Sequence, residues 1–159
     1  MSREQLFYET LGLIRRNQVL TQMLDEAAAA YLGINSTDAR AVDVIDQHGR
    51  ITAGDLAREL RLSTGAVTTL VDRLERAGLA RRVRDAEDRR RVLIETTPVV
   101  ADLSAKIYGS PQEAFELNLM WSDEEAATIH RFQLMSKEWL EERLERIEKL
   151  NAEKREASG

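Results

Sequence analysis

Apolar residues in the first part of the chain recur every three or four positions, at Leu6, Phe7, Leu11, Ile14, Leu20, Met23, Leu24, Ala27, Ala28 and Tyr31. That period predicts an amphipathic helix over about residues 5–32, ended by Gly33. The pattern restarts in "NSTDARAVDVIDQHG", where Asn35, Ser36 or Thr37 can cap a helix that puts Ala39, Val42 and Ile45 on one face and stops at Gly49. After a short "RIT", Thr52 caps "AGDLAREL", with Asp55 near the positive helix end and Leu56, Ala57 and Leu60 on the buried side. Ser63 then caps "TGAVTTLVDRLERA", which Gly78 ends, so two short helices are joined by a tight turn. Alternation replaces the helical period in "LARRVR" and "RVLIET", separated by the polar "DAED", and predicts a two-stranded β-hairpin. Pro98 opens a further helix, broken at Gly109–Pro111 and resumed through Phe115, Leu117 and Leu119. Ser122 and Glu125 form the capping box of a last long helix carrying Ile129, Phe132, Trp139, Leu140, Leu144, Ile147 and Leu150.

The predicted class is mainly α: a winged helix-turn-helix with a two-stranded wing, flanked by N- and C-terminal helices. The corresponding division is a helical dimerisation region at 1–35 and 98–151, a DNA-binding domain at 36–97 and a frayed tail at 152–159. The outer helices carry more apolar side chains than a small winged helix can cover, which calls for a second surface. Tyr31, Phe115, Trp121, Phe132 and Trp139 are the aromatic candidates for that layer.

Charge sharpens this picture. The chain has 159 residues and a formal net charge of -5, yet residues 50–91 hold 11 Arg against 7 Asp and Glu, a local +4 that leaves -9 elsewhere. Every basic residue in that block is arginine, whose planar fork suits phosphate and guanine edges. The absence of cysteine excludes disulfides, thiolate ligands and thiol redox sensing. Two histidines far apart in sequence offer no metal-ligand spacing, so neither a metal nor a cofactor is expected. No nucleophile–base arrangement or phosphate-cradling glycine loop points to an enzyme. Without an export signal or a membrane-length apolar run, a cytoplasmic location is expected, with no membrane partner.

At about 100° per residue, Val67, Leu70, Val71 and Leu74 share one arc of the second short helix. The opposite arc collects Gly65, Thr69, Asp72 and Arg76, flanked by Thr68 and Arg73. Small groups near the N-terminus let a backbone approach another surface closely, as a major groove about 12 Å wide requires. Thr68, Thr69 and Arg73 are candidate groove contacts. Ser63 and Thr64, at the positive helix end, are placed for a phosphate, and Arg76 for flanking phosphates or bases. Asp72 is expected to orient a nearby arginine or to receive a cytosine amino group. Arginine at the hairpin tip, within 81–91, fits the narrow minor groove of A/T-rich DNA.

Residues 52–98, "TAGDLARELRLSTGAVTTLVDRLERAGLARRVRDAEDRRRVLIETTP", closely resemble the MarR family of bacterial winged-helix regulators. The family's wing signature, Asp-x-Arg before a strand ending in Leu-Thr, stands here as Asp88-Arg89-Arg90 followed by "VLIETT", with Thr96 where leucine is usual. The resemblance implies a homodimer with interleaved N- and C-terminal helices. It also implies major-groove entry by 64–77 and Arg90 at the wing tip in the minor groove, with Asp88 supporting an arginine there. Such proteins mostly repress transcription and are released by a small, often aromatic, ligand. Tyr31, Phe115, Trp121 and Phe132 are the candidate ligand contacts. The expected partners are therefore double-stranded DNA at an inverted repeat, a second copy of the chain and a small-molecule effector. The competing reading is a winged-helix protein-interaction module without specific DNA binding.

Overall fold

The computed structural model describes residues 1–88 and 90–157. Its elements run α1 (Arg3–Leu32), α2 (Ser36–His48), β1 (Ile51–Thr52), α3 (Ala53–Leu60), α4 (Thr64–Arg76), β2 (Ala80–Arg84), β3 (Val92–Thr96), α5 (Pro98–Tyr108), α6 (Pro111–Asn118) and α7 (Asp123–Glu156). They divide into two compact units, Met1–Tyr108 and Gly109–Gly159.

The core of the first unit is built from the arcs that the helical period marks. Ala41, Val42 and Ile45 of α2, Leu56, Ala57 and Leu60 of α3, and Val67, Leu70, Val71 and Leu74 of α4 are buried together with Ile51, Leu79, Ala80, Ile94 and Val100. The starts of α2, α3 and α4 are capped as their sequences demand. The Asn35, Thr52 and Ser63 side chains accept the backbone N–H of Asp38, Asp55 and Ala66. These bonds occupy donors that a helix start otherwise leaves unpaired. Ser2 adds a capping box with Gln5 at the start of α1.

The sheet differs from the predicted hairpin by one strand. β3 lies in the middle, antiparallel to both neighbours, with Ile51 opposite Ile94 on one side and Arg82 opposite Ile94 on the other. A two-residue strand is too short to show an alternating pattern, so "RIT" gave no signal. It is recruited because Ile51, only 4% exposed, enters the core beside Ile94.

The second unit contains α6 and α7, with capping boxes at Ser110–Glu113 and Ser122–Glu125. Helix α7 continues to Glu156, so 152–156 are helical and not the frayed tail expected from the sequence. The segment consists largely of good helix formers, and Lys154 and Arg155 in the last turn oppose the helix dipole. Ser158 and Gly159 of that expected tail lie outside the described residues. Large apolar side chains along α7, among them Ile129, Phe132, Leu140, Leu144 and Ile147, stay exposed.

Candidate nucleic-acid interface

Helix α4 buries one arc and leaves the other open. Ser63, Thr64, Gly65, Thr68, Thr69 and Arg76 are all exposed. The Thr68 and Thr69 hydroxyls donate to the carbonyl oxygens of Thr64 and Gly65, at 3.0 and 3.2 Å. Their protons are thus spent on the helix, and each threonine presents a methyl group and an acceptor oxygen outward. That combination accepts from an exocyclic amino group and packs on a thymine methyl. Ser63 accepts from the Ala66 N–H at 3.2 Å, which leaves its own O–H free to donate to a phosphate oxygen. The Arg76 Nε donates to the Asp72 carbonyl at 3.1 Å.

Arg73 is arranged differently from the expectation that it reaches into the groove. Its Nε and Nη2 donate to the two carboxylate oxygens of Asp38, at 2.8 and 2.5 Å. The Asp38 side chain is almost fully buried, and Asn35 donates to it as well, at 3.0 Å. The hydrogen bond to Asp38 holds the Arg73 guanidinium still more firmly in its charged form. A buried carboxylate with its fork-shaped partner is a strong geometric restraint, so Arg73 fastens α4 to α2. Nothing in the sequence announces this pair: the residues are 35 positions apart, and an aspartate in a first helical turn reads as a dipole charge.

The wing begins as β2 leaves α4. Glu95, buried in β3, receives Arg81 from the facing strand position at 2.8 Å and Arg50 from beyond the sheet edge at 2.6 Å. These hydrogen bonds, first from Arg81 and then from Arg50, hold its carboxyl below the usual range. At the tip, the Asp85 N–H donates to the Arg91 carbonyl, and the Asp85 carboxylate takes the Glu87 N–H at 2.9 Å. The Asp88 carboxylate accepts the Arg90 N–H at 3.0 Å, so Asp88 orders the tip through the backbone of Arg90. Arg91 lies 3.9 Å from Asp85, whereas Arg84 and Arg90 make no ion pair among the described residues. Arg89, the other wing arginine singled out from the sequence, lies outside the described residues.

A buried α4 arc, an exposed face of small side chains and an arginine-bearing hairpin make a winged helix-turn-helix. The family model described as "MarR family" matches residues 32–91. HTH-type transcriptional regulator YcgE of Bacillus subtilis, itself uncharacterised, is 36% identical over 149 residues, covering 92% of this chain and 96% of that protein. This chain belongs to the MarR family. Among solved structures, Streptococcus pneumoniae FabT in complex with DNA aligns with a TM-score of 0.57 and 25% identity, over 87% of this chain and 98% of that one. NadR in complex with 4-hydroxyphenylacetate aligns with a TM-score of 0.56 and 22% identity, over 83% and 89% of the two chains.

MarR-family proteins are DNA-binding transcription regulators and not enzymes, and this chain is one of them. Thr96, which stands where the MarR pattern has leucine, donates its hydroxyl to the Asp46 carboxylate of α2 at 3.0 Å. Asp72 meets the expectation that it orients an arginine, since Arg82 lies 2.8 Å from its carboxylate. Arg82 itself carried no sequence signal that set it apart from its neighbours. Of the candidate ligand contacts, Tyr31 belongs to the first unit and Phe115, Trp121 and Phe132 to the second; all four are exposed. The Tyr31 hydroxyl accepts from Lys106 at 2.6 Å, and the ammonium stands 5.2 Å from the ring centroid. No described helix is long and apolar enough to cross a membrane.

Proposed function

We propose that this MarR-family regulator is a homodimeric repressor that reads an inverted-repeat operator, with α4 in the major groove and the wing tip in the flanking minor groove. The exposed Thr68–Thr69 face of α4 carries the reading, because its spent hydroxyl protons leave a defined acceptor-and-methyl surface. Ser63, Thr64 and Gly65 approach the phosphate at the positive end of α4, and Arg76 reaches the flanking backbone. Arg90 enters the minor groove with Asp88 shaping the turn beneath it, and Arg89, its neighbour in sequence, adds a positive charge to the contact set. Arg73 serves here as the anchor that sets the angle of α4, not as a base contact.

The apolar rows of α1 and α7 support the dimer, since side chains such as Phe7, Leu20, Phe132 and Leu144 are about half exposed or more in a single chain. Two-fold symmetry then places two α4 helices on half-sites about one helical turn apart. Residues 36–97 act as the DNA-binding part and the flanking helices as the dimerising part. For release, a small aromatic compound is the ligand class to test first.

The deciding experiment is selection of bound sequences from random duplex DNA by the full chain at two salt concentrations. An enriched inverted repeat, bound with affinity that falls steeply in salt, is the expected result. Weak binding without enrichment and without salt dependence would favour a protein-interaction module instead.

A further inference from the structure

Arg82 sits in the second strand of the sheet, yet its polar groups are directed at α4. Its backbone N–H donates to Glu75 Oε1 at 2.9 Å, and its Nη1 pairs with Glu75 Oε2. Its Nη2 lies 2.8 Å from Asp72 Oδ1 and donates to the Thr68 carbonyl at 3.4 Å. Thr68, Asp72 and Glu75 succeed one another at spacings of four and three, so they form a single stripe along α4. One wing side chain thus grips the recognition helix at three successive points, the first of them a residue of the reading face.

We propose that Arg82 is a positioning residue that locks the wing to the recognition helix, so that the major-groove and minor-groove readers meet DNA at a preset spacing and angle. Three consequences of the contacts support this. The Arg82 guanidinium offsets one of the two negative charges that Asp72 and Glu75 would otherwise present to phosphates. The guanidinium is already engaged by two carboxylates and a carbonyl, whereas Arg84 and Arg90 make no ion pair among the described residues. The contacts also lie near the turn at 77–79 where β2 leaves α4, so a small change of angle there would become a large displacement at the wing tip. Arg82, Asp72 and Glu75 are each partly exposed, and exposed pairs contribute little to stability. The effect therefore falls on preorganisation, which favours only the duplex that fits both readers at once.

The inference rests on the DNA-binding reading above and is tested on the operator that selection provides. Fluorescence anisotropy of the full chain on operator and on scrambled duplex, over a range of salt, is measured for the parent, Arg82→Ala and Arg82→Lys. Arg82→Ala should weaken operator binding about tenfold while leaving scrambled-duplex binding and the salt slope unchanged, because no phosphate contact is lost. Arg82→Lys should show most of the same loss, since an ammonium cannot bridge two carboxylates as the guanidinium fork does. In the parent, Thr69→Ala and Arg90→Ala should be non-additive, and in the Arg82→Ala background their effects should add.

A drop in the salt slope on Arg82→Ala would make Arg82 a direct phosphate ligand and overturn the proposal. So would an unchanged ratio of operator to scrambled affinity. If Arg82→Ala melts below the assay temperature, Arg82→Gln, which also removes the charge, decides by the same criteria. A parent that does not discriminate operator from scrambled duplex would instead overturn the functional reading itself.

Discussion

At the scale of the residue, the arginines of the basic block divide into those bound to carboxylates and those that make no ion pair among the described residues. Arg73 and Arg82 are bound to carboxylates, whereas Arg90 makes no ion pair among the described residues and has its backbone N–H held by Asp88. Their consequences on mutation differ accordingly. Arg73→Ala strands the buried Asp38 carboxylate and should lower the melting temperature by several degrees, whereas the double replacement of Asp38 and Arg73 by alanine should recover much of that loss, because an orphaned buried charge costs more than an absent pair. Thermal unfolding of the two variants checks this. Arg90→Ala should leave stability unchanged but weaken DNA binding, with the slope of log affinity against log salt reduced by about 1 per contact. Thr69→Ala should instead change the preferred base in a repeated selection, with the salt slope intact. All eleven arginines of the basic block look alike as letters. Their roles divide only when partners distant in sequence are brought to them.

Among the elements, the helices were legible because their signals are local. The cap residues and the three-and-four spacing of apolar positions operate within one or two turns, and Asn35, Thr52, Ser63 and Ser122 cap as their side chains dictate. The third strand was not legible, since β1 exists only through its pairing with β3. That sheet has a pH signature of its own. The Glu95 carboxyl is held below its ordinary value by Arg81 and Arg50, so the folded state binds this proton less readily than the unfolded chain. Its contribution to stability is present above the unfolded value near 4.5 and is lost as pH falls through the lower folded value. The melting-temperature difference between parent and Glu95→Gln should therefore be largest near neutral pH and should shrink steadily below pH 4.5, as followed by circular dichroism.

At the scale of the whole molecule, the chain combines a net charge of -5 with a basic block of +4, which favours docking by one face over indiscriminate adhesion to nucleic acid. The apolar rows outside the winged helix are the other large-scale feature. On α7, Ile129, Phe132, Leu140, Leu144 and Ile147 follow one another at helical spacings and are each between 42% and 53% exposed, which suits burial against a second copy. Leu144→Glu should shift the protein from dimer toward monomer in sedimentation velocity. The same change should lower affinity for an inverted repeat far more than for a single half-site, because the two recognition helices would no longer be linked.

The sequence by itself determined the order of the elements, the buried face of each helix of the winged domain, most helix boundaries and the membership of the basic block. These depend on periodicity, capping and side-chain type, which act over a few residues. Only the tertiary structure decided that Asp38 claims Arg73, that Glu95 gathers Arg50 and Arg81, that Arg82 binds three successive points of α4, and that a two-residue segment completes the sheet. Each of those outcomes rests on a pairing between distant positions. Its favourable energy exists only when the fold has already brought the partners within hydrogen-bonding distance, and so it leaves no mark on the local pattern of the chain.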